Sequence, residues 1–548
     1  MAVLARVRLY FDTLRHLKAS QVVYRLWRRM GGSTPIRFGH RVQADINRTS
    51  IARVPVLPEL DFDSVFLGRF DVEALRDNRV TLLHHEERID WASSWKEDVS
   101  TPLWRFNLHY GEYLLPLAYA AKKSLDDVYL EKAKAIVDAW ITGNPRAAGG
   151  VGWNPDVVSM RVTNWLAFYG ETVELLSKDA AFIARMNLSL AQQYDHLSRH
   201  LEKDILANHY LENLKALVLL SCYFDDEATL DYVLPLLKEQ IDEQVLSDGM
   251  HFELSPMYHK LMLESLMRVG AALRANGRVD KPAQWCRLQD MCDCLYSLER
   301  GVDRTPLFND SGDNVAKSRD ALLICARAHF AVRPKFKSIF PDAGYYIMEK
   351  EVRGASVKVI LDAGNPGPGY AAAHAHCDLL SFEVYVNGNP WLVNTGTFAY
   401  QDARRLAFKR TDAHNAPRYA DGEQSECWAP FRMARMARAV SAQRQGDRIE
   451  AVMLDCRGRR ISRRLELRDD ELEVCDMVDE GARVVSVVHA AEPCPTECFK
   501  DGRLDPYAPD FGCLEQSRTL VFEGLGSVVY RIPLPCEVRD GVEIERGR

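Results

Sequence analysis

The sequence changes its hydrophobic pattern once, near residue 343, and this change limits the folds open to the chain. Residues 91–342 contain stretches such as LENLKALVLLSCYF and KLMLESLMRVGAALRANG, whose apolar residues recur every three or four positions. That spacing predicts amphipathic helices, arranged as hairpins laid side by side. Residues 343–548 instead alternate apolar and polar residues, as in RIEAVMLDC, and carry NG and DG turn pairs. We therefore predict a helical domain followed by an antiparallel β domain of two packed sheets.

The length of the chain predicts two or three domains. A chain of 548 residues exceeds what one core usually serves. We expect an N-terminal segment of residues 1–90, then the helical domain of residues 91–342 and the β domain of residues 343–548. The segment opens with MAVLARVRLYFDTLRHLKASQVVYRLWRRM, an amphipathic pattern with a basic face. We interpret it as a packing helix with solvated arginines, in preference to a helix that lies on a membrane surface.

Charge and cysteine content exclude several classes of protein. The formal net charge is −7, unlike the basic domains that bind nucleic acids, so we expect no nucleic-acid partner. The 13 cysteines are odd in number and scattered, which favours a reduced protein with buried thiols over a disulfide framework. No stretch of about 18 apolar residues without charges occurs. We therefore expect no transmembrane segment. Arg6, Arg8 and Arg15 interrupt the apolar runs at the N-terminus, so we also expect no signal peptide. A cytoplasmic location follows, with the periplasm as the alternative; the sequence leaves the oligomeric state open.

Polar and aromatic residues concentrate in two segments of the helical half. WRFNLHYGEYLLPLA brings Asn107 and His109 next to aromatic rings, and GWNPDVVSMRVTNWLAFYG brings Arg161 and Trp165. Rings that stack on apolar sugar faces, beside Arg and Asn side chains that bind hydroxyl or carboxylate groups, are typical of a carbohydrate site. The alternative is that the rings belong to the core and the arginine pairs with an acid.

Two further segments place acid–base groups near predicted helix starts. In ANHYLENLKAL, Asn208, His209 and Glu212 lie within two turns of a helix, where residues three apart share a face. The alternative is that Asn208 caps the helix and the others form a surface pair. In DGMHFELSPMYHKLM, Tyr258 follows Pro256, a residue typical of the first helical turn. Taken alone, such a tyrosine more often belongs to the core than to a catalytic site.

Three histidines of the β half form a candidate metal site. His374 and His376 alternate in AAAHAHCDLLSFEVYV and would share one face of a strand. His414 follows in RTDAHNAPRYADGEQSECW, and Asn394 lies on a predicted strand between them. Imidazole nitrogens are common zinc ligands, whereas a neutral amide is a poor one.

In their order and spacing these segments resemble the heparinase II/III-like polysaccharide lyases, which include related alginate lyases. The similarity runs from about residue 100 to residue 440. It rests on NHYLEN, the DG…E-x-S-P-x-Y-H string around Tyr258, the H-x-H-x-D-x-x-S-F strand, and RTDAHN…DGEQSECWAPFR. The resemblance implies an incomplete (α/α) toroid followed by an antiparallel β-sandwich, in agreement with the change of pattern near residue 343.

The resemblance also implies an activity, the cleavage of a uronic-acid polysaccharide by β-elimination. This reaction removes the C5 proton beside a carboxylate, so the enzyme must stabilise an enolate-like dianion. Asn208 and His209 would hold the carboxylate. Tyr258 would act as base, as acid, or as both, and His374 would be the second acid–base group. The residues expected to bind the substrate are Asn107, His109, Arg161, Trp165 and Glu212.

One cofactor is implied in the same way, a zinc ion with a structural role in the β-sandwich. Its ligands would be His376, His414 and the residue at position 394, where relatives carry an acid and this chain carries Asn394. Asp378 or a water would complete such a site. The alternative is a metal-free cluster held by hydrogen bonds.

Two other functions stay open. The first is a glycan-binding or assembly protein that uses the same cleft without cutting. The second is a glycoside hydrolase, which needs two opposed carboxylates; Glu212, Glu253 and Asp310 are available. The N-terminal Tyr-Arg-Leu stretch followed by the WRFNLHY motif resembles proteins associated with bacterial surface-polysaccharide synthesis. This resemblance points to a self-made exopolysaccharide or an intermediate as the substrate, and not to a nutrient glycan.

Overall fold

The structure is a computed structural model that describes residues 2–32, 50–95, 100–124, 127–313, 315–492, 499 and 502–534. Parts of the predicted first and last domains, residues 33–49 and 535–548, lie outside the described residues. No helix within the described ranges is long and apolar enough to cross a bilayer.

Helices dominate the described chain as far as Phe330. Their bounds are α1 Ala2–Leu14, α2 Ala19–Arg29, α3 Pro58–Asp61, α4 Ser64–Leu67, α5 Val72–Arg76, α6 Pro102–Tyr110, α7 Leu114–Lys123, α8 Val128–Gly143, α9 Pro155–Leu176, α10 Ala180–Arg199, α11 Ala207–Tyr223, α12 Glu227–Gln244, α13 Pro256–Ala275, α14 Pro282–Trp285, α15 Leu288–Glu299 and α16 Arg319–Phe330, with α17 Arg405–Lys409 inside the β part. Side-chain caps begin several of them: Thr101 accepts a hydrogen bond from the Trp104 N–H, and Ser318 from the Ala321 N–H.

The long helices pack in sequence as pairs. Helix α7 contacts α8, α9 contacts α10, and α11 contacts α12, while α9 also contacts α7 and α11, and α11 contacts α13. The helices α9, α11 and α13 are buried along most of their length. An inner row of helices with outer partners is the predicted (α/α) toroid arrangement.

Strands dominate from Ile339 onward. Their bounds are β3 Ile339–Phe340, β4 Tyr345–Val352, β5 Ala355–Asp362, β6 Phe382–Val386, β7 Asn389–Leu392, β8 Pro417–Tyr419, β9 Cys427–Ala429, β10 Arg432–Met433, β11 Arg438–Gln445, β12 Arg448–Leu454, β13 Arg460–Leu467, β14 Glu471–Met477, β15 Arg483–Ala491, β16 Arg503–Tyr507, β17 Glu515–Leu525 and β18 Ser527–Pro533; an earlier hairpin has β1 Arg79–Leu82 and β2 His85–Arg88. In the described part of the chain a nine-stranded sheet (β16-β17-β15-β7-β6-β5-β4-β3, with β8 on β15) faces a five-stranded sheet (β11-β12-β13-β14-β18).

The burial pattern of the strands shows how the two sheets and the helices are stacked. Strands β12 and β13 bury alternate residues, because only one face of the five-stranded sheet meets the core. Strand β6 is buried throughout, since the nine-stranded sheet is covered on both sides. One side packs on the smaller sheet through residues such as Val359 and Ile449. The other packs on the helices, where Ile347 joins Leu298. The predicted fold class, a helical toroid followed by an antiparallel β-sandwich, is confirmed.

The hairpin of β1 and β2 is an element that the sequence did not predict. Its turn residues, Leu83 and His84, both have positive φ, 52° and 56°. Turns of this kind usually carry Asn or Gly, so the sequence lacks the usual turn signal. His84 Nε2 lies 2.9 Å from the Asp510 carboxylate, which ties the hairpin to the β domain.

Candidate active site

A cavity of about 1080 Å³ lies between the helical layer and the β-sandwich. Helices α11 and α13 supply one wall, and the segment before β6 supplies the opposite one. The four predicted catalytic residues all line this cavity: Asn208, His209, Tyr258 and His374. Tertiary folding therefore brings together groups that lie far apart in the chain.

Tyr258 and His374 meet across the boundary between the layers. Tyr258 lies in the first turn of α13, where the Ser255 hydroxyl accepts a hydrogen bond from the Tyr258 N–H at 3.2 Å. Its ring centroid is 4.3 Å from that of His374, and its hydroxyl is 2.8 Å from the Tyr400 hydroxyl. Burial, together with the nearby Tyr400 and Asp310, raises the pKa of Tyr258 well above its usual value. The hydroxyl is thus protonated at neutral pH and available as a donor.

Asp310 fixes the orientation of the His374 ring. Its buried carboxylate accepts hydrogen bonds from His374 Nδ1 at 2.9 Å and from His376 Nε2 at 2.8 Å, and it forms an ion pair with Arg405. Burial opposes ionisation, but Arg405 and the two histidines outweigh it and hold the pKa of Asp310 well below its usual range. Because the carboxylate occupies Nδ1 of His374, Nε2 is the nitrogen left to accept a proton.

His209 brings a positive charge to the cavity wall. Burial disfavours the charged ring, yet Glu202 and Asp156 outweigh this cost and raise the pKa of His209 to about 10. Nδ1 lies 3.3 Å from the Glu202 carboxylate. The ring is therefore an imidazolium at neutral pH, and its Nε2–H edge remains as a charge-assisted donor.

Backbone strain precedes Asn208. Leu206 has φ 64° and ψ −150°, and Ala207 has φ 50°. Such values cost a residue other than glycine about 1–3 kcal/mol and cluster at functional sites. They turn the chain abruptly into α11, so that Asn208 and His209 reach the cavity. The Asn208 N–H donates a hydrogen bond to the buried Glu253 carboxyl group.

The residues predicted to bind sugars divide into two groups. Asn107 and Glu212 line the cavity, where Glu212 pairs with Lys215 and accepts a hydrogen bond from Ser265 at 2.6 Å. The other three, His109, Arg161 and Trp165, are buried in the helical core and do not line it.

A core network explains where these three residues lie. The Arg161 guanidinium donates to the backbone oxygens of His109 and Gly152 and stacks on Trp140 at 3.8 Å. Trp165 meets the edge of the same Trp140 ring. Burial lowers the pKa of His109 to about 3. The prediction that His109, Arg161 and Trp165 contact sugars directly is therefore corrected. These side chains pack against one another's neighbours inside the helical core and stabilise the helices there.

The predicted zinc ligands do not converge on one point. His376 Nδ1 lies 3.3 Å from His414 Nε2. Asn394 Oδ1 instead lies 3.3 Å from His414 Nδ1, on the far side of that ring, and the Asn394 amide lies beside the buried Glu383 carboxyl group. The carboxylate of Asp378 accepts a hydrogen bond from the Asn309 N–H at 2.8 Å.

A cation already occupies this cluster. Arg405 lies 3.4 Å from His376 Nε2 while it pairs with Asp310. Structural zinc sites take four converging ligands. Within the described ranges, the group of three neighbouring His, Cys, Asp or Glu ligand atoms lies elsewhere, at Glu59, Cys325 and His329. The residues around His376 and His414 therefore do not fit the implied zinc.

Sequence reasoning missed the two residues that support the acid–base pair. Tyr400 bonds Tyr258 but stands in TGTFAY, a string that no motif singled out. Asp310 entered only as a candidate acid of a hydrolase. Its position in NDSGDN, a run of polar residues and one glycine, is the one available signal.

Two family models match the chain. Heparinase II/III N-terminus matches residues 69–337, and Heparinase II/III-like, C-terminal matches residues 333–496. The heparin-sulfate lyase of Pedobacter heparinus is 26% identical over 337 residues, covering 56% of this chain and 50% of that protein. FtsZ-localized protein C of Caulobacter vibrioides is 28% identical over 376 residues, covering 65% and 61%. The chain thus spans 50% and 61% of the lengths of these relatives.

Solved structures share the fold. A crystal structure of heparinase III superposes with a TM-score of 0.64 at 15% identity, covering 94% of this chain and 92% of the other. A mutant heparan sulfate lyase from Pedobacter heparinus gives 0.56 at 18% identity, covering 90% and 87%. At these identities the likeness establishes the architecture.

The fold and the cavity define a class of protein, a toroid joined to a β-sandwich with acid–base groups gathered between them. The two family models together span residues 69–496. The chain belongs to the heparinase II/III-like family.

Proposed function

We propose that this protein is a polysaccharide lyase that cleaves a uronic-acid-containing polysaccharide by β-elimination. The observation that carries the proposal is the contact of Tyr258 with an oriented His374, in the same cavity as the imidazolium of His209. Elimination needs a base, an acid and a group that neutralises a carboxylate, and these three side chains supply them.

His374 is the proposed base. Its Nδ1–H is held by the buried Asp310, so Nε2 presents a lone pair toward the cavity. It takes the C5 proton of the uronate. The pair of electrons from the C5–H bond then forms the C4=C5 double bond.

Tyr258 is the proposed acid. Its raised pKa keeps the proton on the hydroxyl until the C4–O bond breaks, and the proton then moves to the leaving glycosidic oxygen. The Tyr400 hydroxyl, 2.8 Å away, stabilises the phenolate that remains. The reaction yields an unsaturated uronate and a free hydroxyl end, and it consumes no water.

His209 and Asn208 are the proposed carboxylate ligands. Neutralising the carboxylate lowers the cost of the dianion that forms when C5 loses its proton. The imidazolium supplies one charge-assisted hydrogen bond, and the Asn208 amide supplies a second donor. Asn107 lines the same cavity and is a proposed contact for a neighbouring sugar.

The arrangement of carboxylates does not favour a hydrolase. Asp310 is tied to Arg405, and Glu212 is tied to Lys215. The third candidate, Glu253, forms no ion pair among the described residues. A pair of carboxylates opposed across a sugar is therefore missing among these residues.

The proposed substrate is an acidic polysaccharide, in keeping with relatives named heparin-sulfate lyase. A finer proposal, supported by the WRFNLHY motif, is that the polymer is a bacterial exopolysaccharide that the cell itself makes. A cytoplasmic site of action is part of the same proposal.

Incubation with a panel of uronate polymers tests the activity. We expect products with unsaturated ends that absorb in the near ultraviolet, and a product mass without added water. Tyr258→Phe and His374→Ala should each lower the rate by about 10²–10⁴-fold.

Tyr346→Phe is the matched control, since this tyrosine bonds the Ala442 oxygen inside the β-sandwich. It should retain full activity. Glycan binding that survives Tyr258→Phe, with no product from the folded wild type on any polymer, would replace the lyase by a glycan-binding protein. Products that have gained water would replace it by a hydrolase.

A further inference from the structure

Helices α1 and α2 turn their apolar side chains outward. Their exposed hydrophobic residues are Val7, Tyr10, Phe11, Leu14, Val22, Val23, Leu26, Trp27 and Met30. In each helix these residues recur every three or four positions, so they form one stripe. Phe11 is 67% exposed and Val23 is 65% exposed. A surface helix of a globular protein normally points such a stripe at the core.

Polar contacts on the opposite face fix this orientation. His16 Nε2 lies 3.0 Å from the Ala434 oxygen, and the Thr13 hydroxyl accepts a hydrogen bond from Trp428 at 3.0 Å. These contacts hold α1 on the β domain, at β9 and the loop that follows β10. In α2, Arg28 pairs with Asp204 at 2.7 Å. The inner face of the two helices is therefore the polar one, and it reaches the wall of the cavity.

The sequence of α1 and α2 favours a packing helix with solvated arginines, and in the structure two of the arginines instead pair with an acid. Arg25 and Arg28 face inward and meet Asp204. The apolar stripe is what faces the solvent. Packing accounts for the polar face and for one edge of the stripe, where the Tyr10 ring centroid lies 5.0 Å from that of Trp428. The remaining apolar side chains of the stripe are exposed.

Charge identifies the kind of partner. Residues 2–32 carry seven Lys or Arg and one acid, Asp12, in a chain whose net charge is −7. Arg6, Arg8, Arg15 and Arg29 are exposed around the stripe. A second copy of the chain would bring like charges together. An anionic bilayer surface suits both features, because apolar side chains enter the acyl boundary while arginines meet the headgroups.

The aromatic residues fit the same partner. Trp27 lies within the stripe and Tyr10 lies at its edge against Trp428, and both rings stay partly exposed. Amphipathic rings of this kind favour the membrane–water interface. We propose that the outer face of α1 and α2 docks this protein on an anionic lipid bilayer. The helices lie in the interface and do not span it, and the docking does not depend on the lyase activity proposed above.

Co-sedimentation of the full chain with lipid vesicles tests the docking. We expect binding to vesicles of phosphatidylcholine with about one third phosphatidylglycerol, and much weaker binding to pure phosphatidylcholine. The double variant Phe11→Ser/Val23→Ser keeps the charge and should lower the partition coefficient at least about tenfold. Arg6→Gln/Arg29→Gln should weaken binding to the anionic vesicles and leave the weak binding to neutral ones unchanged.

The matched control is Leu525→Ser/Val529→Ser, which alters two exposed apolar residues far from α1 and α2 in the chain. Leu525 ends β17 of the nine-stranded sheet, and Val529 lies on β18 of the five-stranded sheet. It should bind vesicles as the wild type does. Failure of the wild type to bind anionic vesicles would overturn the proposal, as would equal binding by Phe11→Ser/Val23→Ser. Self-association in light scattering that this variant abolishes, without vesicle binding, would assign the stripe to a protein partner instead.

Discussion

The buried ion pair of Asp310 and Arg405 offers the sharpest test of how the site is held together. Asp310→Asn keeps the side-chain size but removes the charge, which leaves the buried Arg405 guanidinium without its counter-ion. Removing one partner of a buried pair costs about 3–5 kcal/mol. A domain typically unfolds with about 5–15 kcal/mol, so the variant should fold with reduced stability. The double variant Asp310→Asn/Arg405→Met should recover part of the loss.

The pH dependence of the free energy of unfolding tests the same ion pair in a second way. The pKa of Asp310 in the folded protein lies well below its usual value. Its ionised form therefore stabilises the fold above the unfolded pKa of about 3.9, and this contribution is lost as the pH falls toward the folded pKa. The free energy of unfolding should fall more steeply below about pH 4 in the wild type than in Asp310→Asn.

Urea unfolding at several pH values measures both effects. The control is Asp402→Asn, which breaks an exposed pair with Arg404. Arg404 lowers the pKa of Asp402 to about 2, yet an exposed pair contributes only about 0–1 kcal/mol. A loss below about 1 kcal/mol in Asp310→Asn, equal to that of the control, would refute the account of a buried charge balanced by Arg405.

Three further predictions test other parts of the site. Glu202→Gln removes the main group that raises the pKa of His209 from its ordinary value to about 10. The pKa of His209 should therefore fall in an NMR titration, and KM for an acidic polymer should rise at neutral pH; an unchanged titration of His209 would contradict the assignment. Asn394→Asp supplies the missing acid, but position 394 lies on the far side of the His414 ring and Arg405 still occupies the cluster, so we expect neither this variant nor the wild type to retain zinc through dialysis; one bound zinc per chain in either protein by elemental analysis would contradict the reading of this cluster. Trp165→Phe should lower the melting temperature and leave KM unchanged, since the ring packs on Trp140 in the core; a raised KM in a fully stable variant would restore its role in sugar binding.

Local sequence patterns predicted the parts of the molecule that depend on local physics. Helical spacing and strand alternation identified the two halves, because burial of one face imposes a period of about 3.6 residues on a helix and of about two on a strand. The motifs around Tyr258 and His374 identified residues that line one cavity. The same reasoning failed for Arg161 and Trp165, because an aromatic ring beside an arginine has the same sequence pattern in a sugar site and in a core.

The order of a helical and a β domain, and the chemical groups available for acid–base work, follow from the sequence alone. Which of these groups meet depends on the tertiary structure. Asp310 and Tyr400 support the acid–base pair from segments distant in the chain, and no local pattern records such contacts. The tertiary structure also determines which face of α1 and α2 points outward, since the helical period gives two faces without saying which one the rest of the protein covers.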